Sequence, residues 1–163
     1  MPPTESHGLL LWRHGTHGIE VLLGHMGGPF WARRDLGAWS IPKGLPEPGD
    51  DSPTTTAERE FAEELGQPAP APRHDDPDLD LGSVRRGGKV VTIVARRGDL
   101  DPDAATGGTF TMEWPPGSGR RQEFPEIDRA AWLPLDEARL ALAGNQRDFL
   151  DRLADGLADR RAP

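Results

Sequence analysis

Glu60, Glu63 and Glu64 stand together in the run Arg59-Glu60-Phe61-Ala62-Glu63-Glu64-Leu65-Gly66. At i, i+3 and i+4 of a helix their carboxylates rise from one face as neighbours. Phe61 and Leu65 fall on another face, which can anchor the helix in a core. Like charges at this spacing cost only ~0.2–0.5 kcal/mol per pair, so the triplet alone reads equally well as a solvated acidic surface. The stretch ahead of it favours a site. Gly44-Leu45-Pro46-Glu47-Pro48-Gly49-Asp50-Asp51 is a glycine/proline loop ending in acids. A glycine carbonyl with several carboxylates makes a set of hard oxygen donors that suits Mg²⁺ or Mn²⁺ better than a soft metal. Such an ion would also cancel the repulsion. Lys43, one residue before the loop, can add a point charge on a phosphate; its alternative is an exposed loop lysine.

These residues need a frame to hold them. Ser52 before Pro53 is a capping hydroxyl followed by a preset φ, and predicts a helix that runs to Leu65 and stops at Gly66. The runs Leu9-Leu10-Leu11-Trp12 and Ile19-Glu20-Val21-Leu22-Leu23 flank His14-Gly15-Thr16-His17-Gly18 and predict an antiparallel pair over residues 8–24. Trp39-Ser40-Ile41 reads as a brief strand stopped at Pro42. Arg85-Arg86-Gly87-Gly88-Lys89 lies between two further apolar segments and predicts a second hairpin. Thr109 to Glu113 and Ala130 to Leu133 read as strands, Pro68 to Asp78 as loop, and the leucines and Phe149 after Leu135 as one or two amphipathic helices. His25 and His74 read as lone loop histidines. Strands on both sides of a mid-chain helix, with helices at the end, predict an α/β fold in which helices cover the faces of a mixed sheet.

Composition narrows the partners. The 163 residues carry 19 Lys and Arg against 27 Asp and Glu, a net charge of −8, which argues against a stable nucleic-acid complex or an anionic membrane. A phosphorylated ligand would need counter-charge. With Cys 0, disulfides, thiolate metal sites and a cysteine nucleophile are excluded. The absence of a long apolar run and the start Met1-Pro2-Pro3-Thr4-Glu5 predict a cytoplasmic protein.

Gly44, Arg59, Glu60, Phe61, Glu63, Glu64 and Gly66 match, as they stand, the pattern of the Nudix box, which the stretch 44–67 resembles. The loop carries one extra residue, so Asp50 and Asp51 both answer to the first acidic position, and Gln67 replaces the final aliphatic. The flanks Trp39 to Lys43 and Trp132 to Ala138 are similar to bacterial nucleoside-triphosphate pyrophosphohydrolases and diadenosine-polyphosphate hydrolases of this family. The resemblance implies a single Nudix domain over residues 1–163, an α/β/α sandwich with a mixed central sheet. It implies a divalent-metal-dependent pyrophosphatase that hydrolyses a nucleoside diphosphate derivative by water attack on phosphorus. By position, Gly44, Glu60, Glu63 and Glu64 would hold Mg²⁺ or Mn²⁺, and Arg59 would orient a glutamate. A nucleoside triphosphate and a dinucleoside polyphosphate both remain open as substrates.

In this family a general base often comes from a glutamate outside the box, and Glu126 is the first candidate, Glu123 the second. The alternative for both is a solvated charge run. Trp114, Phe30 or Trp31 could stack on a nucleobase for ~1–3 kcal/mol, though packing is the commoner use of an aromatic. Two other readings compete. One is a noncatalytic nucleotide-binding Nudix module. The other is a histidine phosphatase, suggested by Arg13-His14-Gly15 but lacking any histidine after His74. Ser40 and Ser52 have no context for nucleophilic catalysis.

Overall fold

The computed structural model describes residues 2–162. The chain begins with β1 (Thr4–Gly15) and β2 (Gly18–Met26), followed by the two-residue strands β3 (Trp39–Ser40) and β4 (Lys43–Gly44) and the helix α1 (Pro53–Leu65). Then come β5 (Leu79–Arg86), β6 (Lys89–Arg97), β7 (Thr109–Glu113), β8 (Arg121–Pro125), β9 (Ile127–Pro134), α2 (Leu135–Ala141) and α3 (Asp148–Arg161). The main sheet runs β3-β2-β1-β6-β5, with β4 added on β1 and β9 on β2. β1 and β6 are parallel and the remaining pairs antiparallel, so the sheet is mixed, as the element order predicts.

The apolar runs of β1 and β2 do not alternate with polar residues because both faces of the sheet are covered. Leu9, Leu11 and Leu22 pack under α1 with Ala57, Phe61 and Leu65. Leu10, Trp12, Val21 and Leu23 face the other way, against Phe149, Leu150 and Leu153 of α3 and Ala138 of α2. The layers are therefore α1, sheet, and α2 with α3.

Several elements differ from the sequence-based expectation. β1 starts at Thr4 rather than residue 8, since backbone pairing to β6 from Thr4↔Lys89 onward needs no apolar side chains. Thr109–Glu113 is a strand, but it pairs with Arg121–Pro125 in a separate two-stranded sheet. The run Arg121-Gln122-Glu123 is thus both solvent-exposed and extended. His25 is no loop residue: it lies on β2, fully buried, where Nδ1 stands 2.8 Å from Asp128 Oδ1 and Nε2 2.6 Å from the Arg34 carbonyl oxygen. The irregular 66–78 segment is stapled by Arg96, which is only 1% exposed. Its guanidinium donates to Asp78 (2.8 Å), to Glu58 (3.3 Å) and to the Pro70 carbonyl (3.0 Å). A buried arginine needs such a full set of partners. No helix among the described residues is long and apolar enough to cross a membrane.

Phe61 is fully buried at the centre of the contact between α1 and the sheet. Phe61→Ala is expected to cost about 3–5 kcal/mol of unfolding free energy, read from chemical denaturation. A loss below 1 kcal/mol would show that α1 is not anchored by this residue.

Candidate active site

α1 begins as its sequence dictates: the Ser52 hydroxyl accepts from the Thr55 amide at 3.2 Å and Pro53 opens the first turn. It ends with Gly66 at φ 68°, whose N–H donates to the Ala62 carbonyl. β4 brings Gly44 alongside this helix, paired to His7 of β1. The Glu60 carboxylate fills the space that a side chain at position 44 would occupy. A side chain there would push the Glu60 carboxylate out of its place beside the loop.

Arg59 ties the loop to the helix. Its Nη2 donates to the Leu45 carbonyl (2.8 Å) and to Asp50 (2.9 Å), and its Nη1 to Glu60 (3.0 Å) and Glu63 (3.2 Å). Asp50 also accepts from the Thr56 hydroxyl and the Glu47 amide, each at 2.9 Å. These bonds decide the ambiguous register of the loop. Asp50 is the acid folded inward, with a side chain 9% exposed, whereas Asp51 is exposed. The Arg59 bond, with further help from the Glu47 amide, holds the Asp50 carboxyl well below its ordinary range.

The glutamates of the helix have different surroundings. Glu63 is half exposed and held by Arg59. Glu64 is partly covered, and burial, with the added charges of Glu60 and Glu126, pushes its carboxyl up to about 8 against the opposing charge of Lys43. Glu60 is raised chiefly by burial, and Glu63 and Glu126 push the same way. Glu126 reaches this cluster from outside the box: its amide donates to the Gly108 carbonyl at 2.9 Å, and Gly108 in turn donates to the Glu63 carbonyl at 2.8 Å. Gly107 lies so close to the Glu64 backbone that a side chain would collide with it. The two glycines thus let the β7–β8 unit abut the end of α1.

The donors are hard oxygens, and a divalent ion would offset the burial and the neighbouring carboxylates that raise Glu60 and Glu64. In this respect Gly44, Glu60, Glu63 and Glu64 fit Mg²⁺ or Mn²⁺. No three His, Asp or Glu side chains among the described residues stand in a ready-made ligand cluster, and Arg59 occupies Glu60 and Glu63 as they stand.

On the other side of Lys43 a cavity of about 330 Å³ opens, lined among others by Met26, Trp31, Arg86, Lys89 and Asn145. Of these, Arg86 and Lys89 belong to the Arg85-Arg86-Gly87-Gly88-Lys89 turn, which the sequence marks as a hairpin. Gln146 fixes the segment after α2 by accepting from the Ile41 amide (2.9 Å) and donating to the Ser40 hydroxyl (3.0 Å). Trp114 and Phe30 do not line this cavity; they pack edge to face at 5.4 Å. Glu123 sits on β8 opposite Thr111, exposed. Arg13 is engaged by Glu20 and Asp99 at 2.9 Å each and lies over Trp132, and His14 stands edge-on to Trp12.

The Asp50–Arg59 pair has a pH signature. A carboxyl held lower in the folded than in the unfolded chain contributes stability above about pH 4, its unfolded value. That contribution is lost as pH falls through the folded value. Asp50→Asn is expected to melt below the wild type at pH 7 and to lose less on going from pH 5 to pH 3. Parallel melting-temperature curves for the two proteins would refute this role.

A family model for the NUDIX domain matches residues 4–153. Among solved structures, the NUDIX domain of Shewanella oneidensis NrtR complexed with ADP ribose superposes with a TM-score of 0.63 at 18% identity, over 96% of this chain and 90% of that one. A C. elegans Ap4A hydrolase gives 0.60 at 22% identity, over 96% and 98%. A mutT/nudix family protein from Listeria innocua gives 0.60 at 18% identity, over 98% and 97%. The helix that holds three carboxylates beneath a glycine loop is therefore seated in a fold shared with these proteins, and with the family match running through nearly the whole sequence, the chain belongs to the NUDIX domain family.

Proposed function

We propose that this chain, as one domain over residues 1–163, hydrolyses a pyrophosphate bond in a nucleoside diphosphate derivative with the help of Mg²⁺ or Mn²⁺. The observation that carries this reading is the convergence of Glu60, Glu63 and Glu64 beside the Gly44 backbone, where burial first and then neighbouring carboxylates raise Glu60 and Glu64. An acidic protein could hardly hold a polyphosphate there without added positive charge. The family match supports the same reaction class, and an Ap4A hydrolase and an ADP-ribose-bound domain among the structural neighbours agree with it.

Each residue then has a part. Glu60, Glu63 and Glu64, with the Gly44 carbonyl, would hold the ion. When bound, the ion screens phosphate charge and makes water more acidic. Arg59 holds Glu60 and Glu63 in place and steadies the loop. Lys43 places a charge on a phosphate oxygen. Glu126, exposed at the edge of the cluster, takes the proton of the attacking water, and Trp114 with Phe30 offers an aromatic surface to a base.

Glu64→Gln is expected to keep the melting temperature within a few degrees of the wild type and to lose most turnover. Glu126→Gln is expected to lower kcat by about 10²–10⁴. Both are measured by phosphate release from a panel of nucleoside triphosphates, diadenosine polyphosphates and nucleotide sugars, with and without Mg²⁺. Full Mg²⁺-dependent activity in Glu64→Gln would refute the site assignment. Nucleotide binding by the wild type without turnover on any member would replace the enzyme with a binding module.

A further inference from the structure

His25 is fully buried on β2, yet it has no part in the reaction assigned to Glu60, Glu64 and Glu126. Its Nδ1 lies 2.8 Å from Asp128 Oδ1 and its Nε2 2.6 Å from the Arg34 carbonyl oxygen, while the Trp39 ring stands edge-on at 5.2 Å. A buried polar side chain whose two ring nitrogens are satisfied by separate segments fixes those segments to each other. One of them is the start of β9, two residues from Glu126. We propose that His25 is a positioning residue for Glu126: it holds Asp128 in a bulge of β9, and the bulge sets Glu126 against the acidic end of α1. The proposal rests on the hydrolytic reading only for the part that Glu126 plays in turnover.

The pairing of β2 with β9 runs in step from Glu20↔Pro134 to His25↔Arg129, then shifts so that Met26 pairs with Ile127. Asp128 is the extra residue. Side chains along a strand alternate between the two faces of a sheet, and one inserted residue exchanges the faces beyond it. Ala130 and Trp132 lie on the α1 side, so unbroken alternation would carry Asp128 there and turn Ile127 away. The shift does the reverse. Ile127 joins the core beneath α1, in space that Gly24 leaves open, and Asp128 turns to the opposite face, where His25 stands against Trp39. Its other charged neighbour, Arg129, is farther away at 3.7 Å.

The bulge leads directly into Glu126. The Glu126 N–H donates to the Gly108 carbonyl, and its carbonyl accepts from the Gly27 N–H, each at 2.9 Å. Its carboxylate lies beside Gly108, whose own N–H donates to the Glu63 carbonyl at 2.8 Å. Gly27 opens the segment that runs to Arg34, and the Arg34 carbonyl meets Nε2 of His25. His25 therefore holds both backbones that converge on Glu126, β9 through Asp128 and the segment after β2 through Arg34. The precision matters for a proton acceptor. A slip of one residue along the strand, about 3.3 Å, is enough to take a carboxylate out of hydrogen-bond reach of a water at the cluster.

The two contacts of His25 can be broken separately, because the amide nitrogen of asparagine falls near Nδ1 and that of glutamine near Nε2, and both donate. His25→Asn keeps the bond to Asp128 and should hold kcat within about twofold of the wild type. His25→Gln loses that bond and should lower kcat about ten- to hundredfold at an unchanged KM. Asp128→Ala should do the same, and replaces the glutamine variant if that protein does not fold. In a Glu126→Gln background neither change should lower kcat further, since the group being positioned is gone. An equal further drop there, a His25→Gln enzyme as fast as the wild type, or a His25→Asn enzyme as slow as His25→Gln would overturn the proposal. Hydrogen exchange supplies a readout without turnover. His25→Gln should speed exchange of the Glu126 amide about tenfold and leave the amides of β1 unchanged. That result in a protein with no hydrolytic activity would remove the reaction and leave the positioning standing, whereas unchanged exchange at Glu126 would overturn the positioning itself.

Discussion

The structure around the acidic helix depends on one guanidinium. Arg59 is bonded at once to a loop carbonyl, to the inward-folded Asp50 and to two of the three glutamates on its own helix. Its planar fork of five donors can serve all of these together, which an ammonium could not. The guanidinium fixes the path of residues 45–51 against α1 and keeps two carboxylates from swinging into water. Without it, the loop would keep the Asp50–Thr56 bond to α1 but lose its tie at Leu45, and Glu63 would be a long exposed side chain with no preferred direction.

The rest of the fold brings other groups within reach of that cluster. α1 is anchored by Phe61 and Leu65 to a sheet buried on both faces. Two glycines matter here: at Gly44 a side chain would displace the Glu60 carboxylate, and at Gly107 it would collide with the backbone at the end of the helix. The first brings the Gly44 backbone to the cluster, the second the strand pair that carries Glu126. Lys43 lies near Glu64 and also lines a cavity that Arg86 and Lys89 share.

What the sequence revealed was what local chemistry dictates. The helix Pro53–Leu65 is legible from Ser52, Pro53 and Gly66 because capping acts within a few residues, and the grouping of Glu60, Glu63 and Glu64 follows from helical spacing. The choice between Asp50 and Asp51 was not legible, since it depends on which carboxylate reaches Arg59 nine positions away. The cavity was hidden for the same reason. Lys43, Arg86 and Asn145 are far apart in sequence and meet through the pairing of β1 with β4 and β6, of β6 with β5, and the placement of the segment after α2. Arg96 and His25 show a similar limit. Each looks like a lone polar residue until the loop that satisfies it is seen.

The most direct measurement of the central claim is a crystal structure of the protein soaked in Mn²⁺, read by anomalous scattering. The account predicts a manganese peak between the Glu60 and Glu64 carboxylates, within coordinating distance of the Gly44 carbonyl, with Arg59 still bonded to Asp50. A map with no peak among these groups, or with manganese bound only at other acids on the surface, would contradict it.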